Sequence, residues 1–330
     1  MPASRLVWLL GAARSGTTWL GNMLNSFPSS LYCHEPLLRP EDDAIAPFLR
    51  QIRSAGQLSE ADRAIVLDYW SRAYHATRRP PFFPKDYTRW PASVVWTAWL
   101  AVSATGRGTR WFRDWFSPLP EARFDLVVKQ GGLALHGAEF MGALAPAAVI
   151  VIVRHPCGVI ASVRRGQRLG LMARPARSAW IASNLPAAQE SGFDQRQLET
   201  MTDTEFESMK WVVETGKYQR LAEAHPNGHI VVYRELYNEP LAVVTSLATA
   251  LNWDVTEQTR RFIRATTKPN ASRLSSWLVS GHPYFSVYRP SRESVGAWAH
   301  ELTKREQEEI LAVARPLVQR HWPDSLPIPG

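Results

Sequence analysis

Two glycines frame the first chemistry of this chain, in Gly11-Ala12-Ala13-Arg14-Ser15-Gly16-Thr17-Thr18 behind the apolar run Leu6–Leu10. Glycine lets a backbone turn tightly. A helix starting behind such a turn leaves its first N–H groups unpaired and its dipole positive, so it favours an anion. Arg14 adds a cation, and the hydroxyls of Thr17 and Thr18 add donors. The G-x-x-x-x-G spacing is that of a nucleoside-triphosphate loop. Thr17, however, stands where that loop has the lysine reaching the β- and γ-phosphates. A P-loop nucleotide kinase or ATPase is therefore a poor reading and stands only as a rival. With its cation moved forward to Arg14, the turn suits the terminal anionic group of a shorter phosphate chain.

The charge balance agrees with an anionic ligand. Net charge is +8 and the isoelectric point about 9.7, which favours anionic partners. From Phe140 to Gln189 there is no Asp or Glu, while Arg154, Arg164, Arg165, Arg168, Arg174 and Arg177 fall in that window. Such a surface suits a small polyanion, or nucleic acid in a second rival reading. Solvated arginines are the plain alternative. Only Cys33 and Cys157 are present, too few for a disulfide framework, so a reducing compartment is expected. The N-terminus lacks the apolar core and cleavage site of a secretory signal, and the expected location is cytoplasmic. Cys33, His34 and Glu35 are adjacent and point in different directions, so no metal is expected.

The elements that must position this loop are legible as apolar runs. Strand-length runs occur at 6–10, 126–128, 147–153 and 229–233, and a shorter apolar piece at Leu31-Tyr32-Cys33. Nearly continuous apolar runs are expected of a parallel sheet covered on both faces. Helix-like stretches lie at 17–26, 61–75, 134–145, 157–166, 205–224, 240–251, 256–266 and 301–320. The alternation predicts an α/β fold, a P-loop-like doubly wound parallel sheet flanked by helices. No linker divides the chain, so one domain over 1–330 is expected, with long loops at 79–91 and 281–296. The uncharged stretch 90–106 is shorter than the roughly 20 residues of a membrane span. It reads as a buried helix, or as a wall for a greasy substrate or peripheral membrane contact.

The run ARSGTTWL, Ala13–Leu20, resembles the 5′-phosphosulfate-binding loop of sulfotransferases that use 3′-phosphoadenosine 5′-phosphosulfate (PAPS). Arg14 stands where the cytosolic branch usually has Lys and the carbohydrate and tyrosyl branches often have Arg. The loop at 11–19 would then hold the phosphosulfate through Arg14, Ser15, Gly16, Thr17 and Thr18. Trp19 would stack on adenine or pack the helix. The segment VIVIVRHPCGVIAS is similar to the family's 3′-phosphate motif at 151–162. It puts Arg154 at a strand end, Pro156 at a helix start and Ser162 further along that helix. Tyr233, in VVYRELYNEP, resembles the strand-end tyrosine that approaches adenine, although Arg234 replaces the usual Glu. The stretch 289–303 resembles the loop that closes over the cofactor at 289–298. Arg292 and Ser294 there are candidates for the 3′-phosphate although the usual Arg-Lys-Gly triplet is absent, and Trp298 reads as packing ahead of ligand contact.

The resemblance also implies the chemistry. Sulfuryl transfer needs a base for the acceptor proton and fixed positive charge at the transferring group. Some carbohydrate-type members place a Glu-Pro after their first helix, the Glu acting as base; Glu35-Pro36 matches, with His34 as the rival base and a plain Glu35–Arg39 pair as the alternative. Lys129 ends the strand FDLVVK at the expected site edge of an open α/β sheet. The family's lysine there donates to the transferring group. Glu35, Arg14 and Lys129 are thus the expected catalytic residues. The aromatic segment 69–116 is expected to line the acceptor side. The acceptor expected is a hydroxyl of a carbohydrate, glycolipid or other small metabolite, and nucleic acid is not an expected partner.

Overall fold

The computed structural model describes residues 5–36, 46–55, 57–75, 124–131, 137–267 and 296–322. Five strands form one parallel sheet: β1 (Arg5–Leu10), β2 (Ser30–His34), β3 (Asp125–Gln130), β4 (Ala148–Val153) and β5 (Gly228–Val232), in the order β2-β3-β1-β4-β5. Four lie on the apolar runs expected to be strands. The fifth, β2, extends the short piece at 31–33 into an edge strand. Among the described residues, helices at 46–55, 177–190, 195–200 and 233–238 add to those expected. Tyr233, expected to end a strand, instead opens a short helix, because β5 stops at Val232.

Side-chain alternation divides β1 between two cores. Leu6, Trp8 and Leu10 join Leu126, Val128, Val149, Val151 and Val153 on one face, with helices α5 (Pro156–Arg168), α8 (Asp203–Ala224) and α13 (Lys304–His321) over them. Val7 and Leu9 join Val127, Ile150 and Ile152 on the other face. That face is covered by α1 (Thr17–Asn25), α10 (Pro240–Leu251) and α11 (Glu257–Thr267). The neighbouring strands β1 and β4 therefore send their following helices, α1 and α5, to opposite faces. In an open α/β sheet that divergence opens a crevice at the carboxyl ends of the strands. At the other end of the sheet, Asp125 accepts from Arg5 and from Trp253 Nε1 at 2.7 Å, tying β1 and β3 to the turn after α10.

Most arginines of the acid-free window are ion-paired rather than free. Arg164 pairs with Glu207 and Glu306, Arg165 with Glu301, and Arg174 and Arg177 with Asp203. Those acids lie beyond the window on α8, α13 and the short helix α12 (Trp298–Glu301). The bare basic surface expected there is thus largely a set of interhelical contacts. Among the described residues no helix is long and apolar enough to cross a membrane. The segment 90–106 lies outside the described residues.

Candidate active site

The loop after β1 is built for close approach. Arg14 and Gly16 both take left-handed backbone conformations, with φ of 68° and 104°. A Cβ at Gly16 would lie 2.6 Å from Tyr233 Cδ2, and one at Gly11 would lie 2.7 Å from the Ile152 carbonyl. Ser15 N donates to the Ala12 carbonyl at 3.0 Å and closes the turn. Ser15 Oγ, in a residue 1% exposed, has no hydrogen-bond partner among the described residues. Helix α1 then starts with no side-chain cap and no acid in its first turn. Its leading N–H groups are left for whatever occupies the crevice. Thr17 is buried and Thr18 half-buried on this first turn.

The end of β4 meets this loop across the crevice. Arg154 Nη1 donates to the Arg14 carbonyl at 3.0 Å, and Arg14 Nε donates to Ser162 Oγ at 3.2 Å. The Arg154 guanidinium also lies 4.6 Å over the Tyr233 ring, which packs 6.0 Å from Trp19. Helix α5 begins at Pro156 with no side-chain cap and no acid in its first turn. By contrast, the helices at 195–200, 203–224 and 304–321 each open with a capping box. Two uncapped helix N-termini and two guanidinium groups thus face one crevice, a strongly anion-attracting arrangement. Residues from three parts of the sequence, 14–19, 154–162 and 233, are brought together. Trp19 is buried in the core beneath α1, α10 and α11 as well as against Tyr233. Arg292 and Ser294 lie outside the described residues.

His155 was not singled out by sequence reasoning. Its ring lies flat against Trp298 at 4.7 Å and edge-on to Trp322 at 5.5 Å. Neither ring nitrogen has a partner among the described residues. Burial, and secondarily the charge of Arg154, pushes its pKa down to about 4. The neutral imidazole therefore serves as an aromatic plate joining the Arg154 turn to the C-terminal helices. Gly158 makes room for the Arg154 guanidinium, since a Cβ there would lie 3.2 Å from Nε.

The second half of the site lies at the ends of β2 and β3. His34 and Lys129 are register partners and so share a face of the sheet. An extended Glu35 would point to the opposite face. Instead Glu35 has φ of 49°, its N–H donates to the Lys129 carbonyl at 2.7 Å, and its carboxylate pairs with Lys129 Nζ. Oε2 of Glu35 lies 3.7 Å from His34 Nε2. The Glu35 side chain is 21% exposed and that of Lys129 10%. The partner of Glu35 is thus Lys129; Arg39, the alternative, lies outside the described residues. Of the aromatic segment 69–116 only 69–75 is described, and there Trp70 is fully buried against Trp8 in the core instead of lining a site.

In an open parallel α/β sheet the ligand crevice lies at the switch point, and here that crevice is an anion cradle. The family model described as "Sulfotransferase family" matches residues 7–257. The chain belongs to that family, which comprises transferases using PAPS. No curated protein matches the chain. Among solved structures, it is similar to the sulfotransferase domain from the curacin biosynthetic pathway, at 16% identity over 96% of this chain and 98% of that one, with a TM-score of 0.46. It is also similar to the sulfotransferase domain of the Synechococcus PCC 7002 olefin synthase, at 17% identity over 96% and 95% with a TM-score of 0.46. Mouse sulfotransferase SULT7A1 complexed with PAP matches at 13% identity over 98% and 89%, with a TM-score of 0.45. The residues around the loop fit a phosphosulfate: an orphaned buried hydroxyl on Ser15 and uncapped helix ends.

Proposed function

We propose that the protein sulfates a hydroxyl of a carbohydrate, glycolipid or other small metabolite, with Glu35 as the base that takes the acceptor proton. The observation that supports this reading best is the Glu35–Lys129 pair, set at the ends of β2 and β3 beside the β1 loop. It supplies a carboxylate for proton abstraction and a cation for the transferring group from one contact. Bound PAPS supplies the sulfuryl group and a phosphate leaving group. Arg14, Ser15, Gly16, Thr17 and Thr18 hold the phosphosulfate charge. Arg154 and Ser162 hold the 3′-phosphate, joined in that task by Arg292 and Ser294. Tyr233 and Trp19 flank the adenine, and Lys129 neutralises charge where the acceptor oxygen attacks. When Lys129 turns toward that charge, the Glu35 carboxylate is released to accept the proton.

The site stands in a single domain spanning 1–330, acting without a metal. A reducing cytoplasm suits its two buried free thiols, one of which, Cys157, burial pushes up to about 12. The test has two arms. Thermal stabilisation by 3′-phosphoadenosine 5′-phosphate (PAP), but not by ATP or duplex DNA, is expected; the reverse pattern sinks the cofactor assignment. A screen with labelled PAPS should give sulfated sugars, glycolipids or small hydroxy metabolites. Transfer to simple phenols alone overturns the acceptor class.

A further inference from the structure

The Glu35 carboxylate is approached from two sides, and the second side has a structure of its own. Tyr32 and His34 lie two residues apart on β2 and so share a face. Tyr32 Oη lies 2.7 Å from His34 Nδ1, with the ring centroids 5.8 Å apart. Tyr32 is only 3% exposed, and helix α1 fixes it twice. Asn25 Oδ1 accepts from Tyr32 N at 3.0 Å, and Gly21 leaves the space that the phenol ring fills. A Cβ on Gly21 would overlap Tyr32 Cε2 and lie 2.9 Å from Cζ. Glycine inside a helix is unfavourable, so α1 gives up helix stability to seat this ring.

The phenol is a stronger acid than the neutral imidazole N–H, so the hydroxyl donates and Nδ1 accepts. That tautomer, assigned from the hydrogen bond, puts the ring proton on Nε2, which faces Oε2 of Glu35 at 3.7 Å. We propose that Tyr32 and His34 are positioning residues for the base: Tyr32 fixes the imidazole, whose Nε2–H faces the Glu35 carboxylate opposite Lys129 as an electrostatic contact longer than a hydrogen bond. The inference rests on the reading of Glu35 as base. It also gives α1 two functions. The helix whose N-terminus forms the phosphosulfate cradle sets, through Gly21 and Asn25, the place of the chain that aims the base.

Steady-state kinetics and PAP affinity of five variants test it. Glu35→Gln is expected to lose roughly 10²–10⁴-fold in kcat. His34→Ala is expected to lose roughly tenfold, with PAP affinity unchanged, while His34→Gln, whose amide nitrogen can replace Nε2–H, recovers most of the rate. Tyr32→Phe keeps the ring and should lose roughly three- to tenfold in kcat. In the His34→Gln background the Tyr32→Phe change should cost nothing further, because the hydroxyl acts through the imidazole. A residue that merely supports the fold would give no rescue by Gln, and its effects would add. Wild-type kcat in both His34→Ala and Tyr32→Phe, with Glu35→Gln inactive, overturns the positioning inference and leaves the base in place. Wild-type kcat in Glu35→Gln overturns the base reading itself.

Discussion

Replacing Gly16 by alanine probes the point where the two anion-binding turns touch. Gly16 has φ of 104° and ψ of 6°, a conformation that costs a residue with a Cβ about 1–2 kcal/mol. The new methyl would also lie 2.6 Å from Tyr233 Cδ2, 2.7 Å from Cε2 and 3.3 Å from Ile152 Cδ1. Ordinary carbon contacts are about 3.5–4.0 Å, so the Tyr233 ring must move by about 1 Å. Overpacking of that kind adds about 1–3 kcal/mol, for a combined loss of about 2–5 kcal/mol in urea unfolding. The ring cannot move alone, because the Arg154 guanidinium rests on it and holds the Arg14 carbonyl. PAP affinity measured by calorimetry should therefore weaken by at least about tenfold, the equivalent of one lost charge-assisted hydrogen bond. Gly170→Ala is the matched control. Gly170 also has a positive φ, of 69°, but nothing lies within 4 Å of an added Cβ. It should lose only the backbone contribution and bind PAP normally. If Gly16→Ala is no less stable than Gly170→Ala, or binds PAP as the wild type does, the contact argument at Tyr233 is wrong.

Three further outcomes follow from the same geometry. Arg154→Ala and Ser162→Ala should weaken PAP binding by about 1.5–3 kcal/mol with a smaller effect on kcat; a wild-type Kd removes that residue from the 3′-phosphate site. Lys129→Met should lower kcat by roughly 10²–10³-fold, and PAP, which lacks the sulfuryl group, should bind nearly unchanged; equal losses in both would make Lys129 a nucleotide ligand. His155 is buried as the neutral form with its pKa at about 4. Between an unfolded value of about 6.5 and that value, the unfolded chain binds a proton that the native chain does not. Stability should therefore fall as pH drops through this window, by roughly 3 kcal/mol, and level off below it. His155→Phe keeps the stack on Trp298 without the titration, and its urea midpoint should be flatter over the same range. A parallel pH profile for the two proteins would refute the assignment.

How much of this was readable in the residues depends on whether the signal is local. The strands β1 and β4 announce themselves because both faces are covered and their residues are apolar almost without a break, while β3 and β5 show shorter apolar cores at Leu126–Val128 and Ile230–Val232. The loop at 11–16 is equally legible, since glycine spacing and a following helix are properties of one short stretch. The edge strand β2 is only five residues long and ends in His34, so composition alone shows a fragment. The arginine partners are invisible for a different reason: Glu207, Glu301 and Glu306 are far along the chain and meet Arg164 and Arg165 only when helices pack. His155 reads as an ordinary residue between Arg154 and Pro156. Only the packed position of Trp298 and Trp322 turns it into a stacking plate.

Backbone strain was the least legible feature and is also the most informative. Four described residues other than glycine have positive φ: Arg14, Glu35, Ala145 and Asn252. Asn252 caps a helix, a common place for that conformation. Arg14 and Glu35 have no such excuse, as neither residue type favours the left-handed region. Each follows a strand, at the carboxyl edge of the sheet, and in each case a backbone contact holds the conformation. Arg154 grips the Arg14 carbonyl, and the Lys129 carbonyl grips the Glu35 N–H. The contacts that hold the strained turns thus come from the side chain or main chain of other candidate site residues. Had β2 simply run on, its period of two would have sent the carboxylate away from Lys129. The strain at Glu35 is what brings a carboxylate and a cation of neighbouring strands to one point, and the chain tolerates it because the neighbouring strand over-determines it.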